Sequence, residues 1–388
     1  MTAAAAIVAV VGTITAMAAA TGGDRGIDEA RPPTSRSGGH PSGLSAPTTL
    51  SGPTGPAPGL SSPRHTSPPP SPSHSRGPSV KAGTEPSAER TERRAAPGTG
   101  SGKLYRHPDS QVLDWVRDHP DDPRGAAIET GIADRPAAVW FTDPAPATIT
   151  SQVAAVASGG AARDQVPVLV AYAIPDRDCG GASQGGAPNL DAYDAWIDAF
   201  AAGLGSDDVI VILEPDAIAQ SDCLSAAGRA DRFASLARAG RVVKAANPSA
   251  RVYHDAGHSE WNTPVEQAAL LRQAGAAAPD GSDGVFSNVS NFNRTEAEVA
   301  YTRRVLHALG APAGLGAVID TSRNGNGAPA DGAWCDPAGR ALGRPPTLTT
   351  GEPRVDAYLW VKLPGESDGC RGRAGAFSPG YAYELARG

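Results

Sequence analysis

Seven short runs of β-branched and aliphatic residues punctuate the chain after residue 136, and longer stretches of helical periodicity separate them. The runs are "AAVWFTD" near 137, "VPVLVAYA" near 166, "DVIVILE" near 208, "ARVYHD" near 250, "DGVFSNV" near 283, "GLGAVID" near 314 and "DAYLWVKL" near 356. Between two of them, "LDAYDAWIDAFAAGL" sets Tyr193, Trp196, Ile197, Phe200 and Leu204 on one helical face, a core stripe. "TEAE" at 295–298 predicts a helix start, with Thr295 and Glu298 as a capping box. Strand runs alternating with helical patterns predict βα units and a parallel sheet of the α/β class. Seven of them predict a barrel or a strongly curled sheet.

Such folds carry reactive groups in the loops at the C-terminal ends of their strands. Those ends hold Asp143, Asp176 and Asp178, Glu214 and Asp216, and Asp255. Beyond them come Ser290 and Asn291, then Asp320, then Lys362, Glu366 and Asp368. A single aspartate at a strand end reads equally well as turn chemistry. A whole rim of them on one face describes a cleft lined with carboxylates. Trp140, Trp261 and Trp334 fit as aromatic platforms whose indole faces stack on sugar rings, or else as core residues.

Composition divides the chain near residue 104. Residues 1–103 contain no Phe, Trp or Tyr, and 23–103 are rich in Pro, Ser and Gly. Such a segment cannot bury enough apolar surface to offset its ordering entropy, so it reads as an extended linker. Residues 1–22, "MTAAAAIVAVVGTITAMAAATG", are apolar and Ala-rich and end in small residues. They read as a secretory signal peptide or an uncleaved signal anchor, though no Lys or Arg precedes the apolar run. Membrane attachment is expected only in the anchor case.

Charge narrows the partners. Residues 1–103 carry 10 basic and 6 acidic side chains, and the remainder 24 basic and 35 acidic, a net −11. An acidic domain is poorly suited to nucleic acid, whose binding rests on phosphate neutralisation. Four cysteines without a CxxC argue against zinc. In an exported chain they imply two disulfides, with three connectivities open.

The motifs "YAIPDRDCGGASQGG", "VIVILEPDAIA", "VYHDAGHSEW", "DTSRNGNG", "AWCDP" and "LWVKLPGESDGC" together resemble glycoside hydrolase family 6, in order, over nearly all of 104–388. The resemblance implies a distorted, incomplete parallel (β/α) barrel that hydrolyses β-1,4-glucan with inversion, needing neither cofactor nor metal. It also implies roles for particular residues. Asp216 of "EPD" resembles the general acid. Asp178 of "RDC" resembles the carboxylate that raises the acid's pKa and helps handle the water's proton. Asp255 of "DAGH" resembles a residue that binds substrate and tunes the acid. Asp368 of "ESDG" resembles the proposed base or a substrate-positioning carboxylate. Tyr172 falls beneath the reacting sugar, Ser290 and Asn291 line the water site, and His258, Lys362 and Glu366 bond hydroxyls. Arg177 and Lys362 are placed to keep neighbouring carboxylates ionised. Two departures stand out: Gln184 where small side chains are common, and Phe292 where tyrosine is usual.

Inversion needs a protonated carboxyl and a carboxylate roughly 6.5–9.5 Å apart, with water between them. Asp178 and Asp216 close consecutive strands and so can lie close together. Cys179 and Cys223 follow strands two and three, and Cys335 and Cys370 follow strands six and seven, so pairing of neighbours is expected. The short, Gly-rich connection at 174–189 and a single long one at 320–355 predict one cleft wall without a lid. That favours a secreted, monomeric endo-acting glucanase. An exo-acting cellobiohydrolase and a glucan-binding protein without catalysis are the alternatives.

Overall fold

The computed structural model describes residues 102–388; the leader and nearly all of the linker lie outside them. Each of the seven runs forms a strand: β1 (Val139–Phe141), β2 (Val168–Ala171), β3 (Ile210–Leu213), β4 (Arg251–Asp255), β5 (Gly284–Ser287), β6 (Gly316–Asp320) and β7 (Val355–Leu359). They pair in parallel in sequence order, β1 through β7. Helices α1 (Gln111–Asp118) and α2 (Gly125–Ile128) precede β1. The crossovers are α3 (Pro146–Ala161), α4 (Leu190–Ala202), α5 (Ala226–Ala246), α6 (Pro264–Gln273) and α7 (Thr295–Leu309), and α8 (Pro379–Arg387) closes the chain. No helix joins β6 to β7; that long connection was expected and is given to the cleft.

The two strand faces have different jobs. Val168, Val170, Ile210, Ile212, Tyr253, Phe286, Val318, Ala357 and Leu359 fill the inside of the curl. Their alternate neighbours Leu169, Val211, Leu213, Val252, Val285 and Ala317 pack outward under the helices. Both faces are buried, which is why the runs read as nearly continuous apolar stretches. The α4 stripe Tyr193, Trp196, Ile197, Phe200 and Leu204 is core, as its spacing predicted.

The barrel is incomplete. No ladder joins β7 to β1 among the described residues. The seam is held by Ala138 N–H to Trp360 O at 2.9 Å and Trp140 Nε1–H to Val361 O at 2.7 Å. Elsewhere the strands come unusually near: a Cβ on Gly284 (φ +145°) would sit 1.8 Å from Gly316 O, so only glycine fits where β5 enters beside β6.

The capping box expected at Thr295 is absent. Arg294 is the N-cap residue of α7 and Thr295 its first helical residue. The Thr295 hydroxyl accepts from Asn324 Nδ2 at 3.1 Å, and Glu298 turns inward rather than back to the helix start. Tertiary partners have outcompeted the local motif. The box that does form is Thr263–Glu266 on α6, in "TPVE".

Candidate active site

Three strand ends share one backbone device. Asp176 and Asp178 after β2, Glu214 and Asp216 after β3, and Asn288 and Ser290 after β5 all have φ between 51° and 69°. Left-handed backbone at non-glycine residues stores of order 1–3 kcal/mol each and gathers where side-chain direction matters. Here it turns alternate residues of each loop to opposite sides.

After β3 the two sides are plain. Glu214 is fully buried and accepts from Ala173 N and Ile174 N at 3.0 Å, locking the end of β3 to the end of β2. Burial lifts its pKa to about 7 against those N–H groups. Asp216, two residues on, is half-buried and lines the cleft. No hydrogen-bond donor among the described residues engages its carboxyl. Burial first, then the charges of Asp255 and Asp178, push its pKa well above the usual carboxylate range.

Asp255 corrects an expectation. It does not line the cleft: it is 1% exposed, with both oxygens occupied. Oδ2 accepts from Ala219 N at 2.8 Å and Ile218 N at 3.2 Å, and Oδ1 from Gly257 N at 2.8 Å. Asp255 thus braces the loop that carries Asp216. Burial raises its pKa to about 6. Its carboxylate charge lies behind Asp216 and adds to the upward push on that acid's pKa.

Asp178 is half-buried and faces the cleft, with Oδ2 accepting from Ser183 N at 2.8 Å. The loop around it is tightly cut: a Cβ on Gly186 (φ +102°) would lie 1.9 Å from Ile174 O. The Cys179–Cys223 disulfide ties this loop to the one after β3, and Cys335–Cys370 ties the β6 and β7 loops, the expected pairing of neighbours. Arg177, expected to hold a carboxylate ionised, pairs with none. Its guanidinium donates to the carbonyls of Tyr172, Thr142 and Ser183 and lies 4.7 Å from the centre of the Tyr172 ring. It orders the loop and the ring together.

The far wall centres on Asp368. Its Oδ2 accepts from Arg323 Nη1 at 2.8 Å and from Asp336 N at 3.1 Å, with Lys362 Nζ 3.8 Å from Oδ1. Arg323 is fully buried and also donates to Ser290 O. Asp336 accepts from Ser367 Oγ and from the backbone N–H groups of Asp368, Cys370 and Arg371 at 2.6–3.0 Å. Glu366 accepts from Gln111 Nε2 at 3.0 Å, and burial raises its pKa. Lys362 Nζ also lies 4.0 Å from Glu366 Oε2, between the two acids.

Arg323, Asp336 and Gln111 had no assigned role in the sequence. The first two stood in plain sight inside "DTSRNGNG" and "AWCDP"; Gln111 carried no signal. Gln111 marks a second wall that loop lengths did not predict. Arg106, His107, Gln111 and Asp114, before β1, join Arg373–Gly375 and the loop of Ala328 and Trp334 in lining a cavity of about 1150 Å³.

The expected contact residues converge on this cavity. Tyr172, Trp140, Arg177, His258, Trp261, Ser290, Asn291, Trp334, Lys362 and Glu366 all line it, with Asp178, Asp216 and Asp368. Trp140 meets Tyr172 edge-on at 5.1 Å, and Trp334 is 60% exposed at the rim. His258 Nδ1 receives Glu260 N–H at 3.3 Å, so its proton sits on Nε2; burial lowers its pKa to about 4. Of the other rim acids, Asp143 and Asp176 are exposed and lie off the cleft, and Asp320 is a buried brace accepting from Lys362 N, Ser322 N and Ser290 N.

A half-barrel whose strand-end carboxylates split between buried braces and an aromatic-lined cleft is the architecture of a polysaccharide hydrolase. Residues 102–386 match the family model described as glycosyl hydrolases family 6, and the chain belongs to that family. It is 51% identical over 289 residues to Endoglucanase 1 of Streptomyces sp. (strain KSM-9), covering 74% of this chain and 79% of that protein. It is 47% identical to Endoglucanase A of Thermobispora bispora, covering 73% of this chain and 61% of the relative. Among solved structures, the endoglucanase Cel6 from Mycobacterium tuberculosis, in complex with methyl-cellobiosyl-4-deoxy-4-thio-β-D-cellobioside, superposes with a TM-score of 0.69 at 40% identity. That match covers 76% of this chain and 99% of the other.

Proposed function

We propose that the chain is an endo-β-1,4-glucanase that inverts configuration, with Asp216 as the general acid. One observation carries the reading: a cleft-facing carboxyl that no donor among the described residues engages, flanked by Asp255 and Asp178, whose burial and negative neighbours push its pKa well above the usual carboxylate range. A glucosidic oxygen is a poor leaving group until it is protonated, and a raised-pKa acid supplies that proton. Asp178, with no cation paired to it among the described residues, acts on the acid and on the water's proton. Asp368, held by Arg323, Lys362 and Asp336 N–H, serves beside the water site at Ser290 and Asn291 as base or as a positioning carboxylate. Trp140, Trp261 and Trp334 stack on glucose rings, Tyr172 lies beneath the reacting ring, and His258, Lys362 and Glu366 bond hydroxyls. Two disulfides suit an exported enzyme, and one chain contains every group the reaction needs, consistent with a monomer.

Endo rather than exo action is supported by the names of the two curated relatives given above. The expected outcome is an early fall in the viscosity of a soluble cellulose derivative, well ahead of reducing-sugar release. Viscosity falling in proportion to new reducing ends, with cellobiose as nearly the sole early product, would transfer the reading to an exo-acting cellobiohydrolase.

A further inference from the structure

Glu298 sits on the inner face of α7, outside the cleft and fully buried. Its neighbour Glu296, by contrast, is an exposed partner of Arg344. A buried carboxyl with no cation beside it is expensive unless its oxygens are engaged. One is: Oε1 accepts from Ser259 N at 2.9 Å. The carboxyl also has the side chains of Ser259, Asn293 and Ser287, the last at the end of β5, close enough to oppose the upward push of burial on its pKa.

Ser259 belongs to the segment that delivers His258 and Trp261 to the cleft. Asn293 Nδ2 bridges His258 Nδ1 at 3.0 Å and Ser259 Oγ at 3.1 Å, and the His258 and Trp261 rings pack 5.1 Å apart. Among the described residues, Glu298 is the α7 side chain that accepts from the backbone of that segment. We propose that Glu298 is a positioning residue for His258 and Trp261, supplying a hydrogen-bond acceptor at fixed reach rather than a charge. This rests on the glucanase reading above, and it adds a group that neither touches sugar nor lines the cleft.

The test compares Glu298→Gln, Glu298→Asp and Glu298→Ala with the unaltered chain on a soluble β-1,4-glucan. In Glu298→Gln the amide oxygen accepts from Ser259 N and the NH₂ donates to Ser287 Oγ, so KM should stay within about twofold. Alanine removes the acceptor and aspartate withdraws it by one methylene. Each should raise KM by about tenfold while kcat changes by less than about threefold, the pattern of lost uniform binding. ¹⁵N NMR of His258, assigned by its loss in His258→Asn, should show the Nε2–H tautomer in the unaltered chain and Glu298→Gln. In Glu298→Ala and Glu298→Asp it should show a mixture. If alanine fails to fold, the aspartate and glutamine pair decides. Unchanged KM and tautomer in Glu298→Asp, or glutamine as impaired as alanine, overturns the proposal. An unaltered chain without glucanase activity would end the functional reading alone, because the tautomer comparison needs no substrate.

Discussion

Asp216→Ala is expected to lower kcat on unactivated β-1,4-glucan by about 10²–10⁴-fold, the usual worth of general acid catalysis. That range corresponds to about 3–5 kcal/mol of transition-state stabilisation. The substitution removes a half-buried carboxyl that no other group leans on through a hydrogen bond, so fold and glucan affinity should persist. An aryl glucoside chain with a good leaving group needs less protonation and should keep a much larger share of its rate. Steady-state kinetics on both substrates, with calorimetric binding to cello-oligosaccharide, check this. Near-normal turnover of cellulose by the variant would remove Asp216 from the role.

Asp178→Asn tests the electrostatics from the other side. The amide oxygen can still accept from Ser183 N, so the loop geometry is retained and one negative charge near Asp216 is lost. A like charge raises the acid's pKa, and its removal lowers it. Asp216 must be protonated to act, so activity is lost as pH rises through its pKa. The alkaline limb of the kcat profile should therefore move to lower pH in Asp178→Asn, with a fall in rate of at least about tenfold at the optimum. The shift should be partial, since burial and Asp255 act on Asp216 more strongly than Asp178 does. An unchanged limb at an unchanged rate would reduce "RDC" to a turn.

Much of this architecture was legible because it rests on patterns that few other folds produce. Strands buried on both faces must be apolar throughout, and helices packed on one side must be striped, so the seven runs and the α4 stripe told their own story. The cleft acids were legible as a set but not individually. Asp216 and Asp255 both follow an apolar run, and nothing in their residue type says that one faces the cleft and the other is sealed behind it. That distinction comes from left-handed backbone at 214 and 216 and from three N–H groups that converge on Asp255. Glu298 misled for a related reason. A Thr-x-x-Glu spacing promises a local cap, yet Ser259 N across the fold outbid the helix start for that carboxylate. Gln111 lies more than 250 residues from Glu366 in sequence, and only the closed fold brings the two together.

The central claim is that this cleft cleaves β-1,4-glucosidic bonds by single displacement, with Asp216 as the acid. ¹H NMR of a cello-oligosaccharide immediately after mixing with enzyme reads both the bond broken and the anomer released. The account predicts that new reducing ends appear first as the α-anomer and reach the equilibrium mixture only as mutarotation proceeds. First appearance of the β-anomer, or no new reducing ends at all, would contradict it.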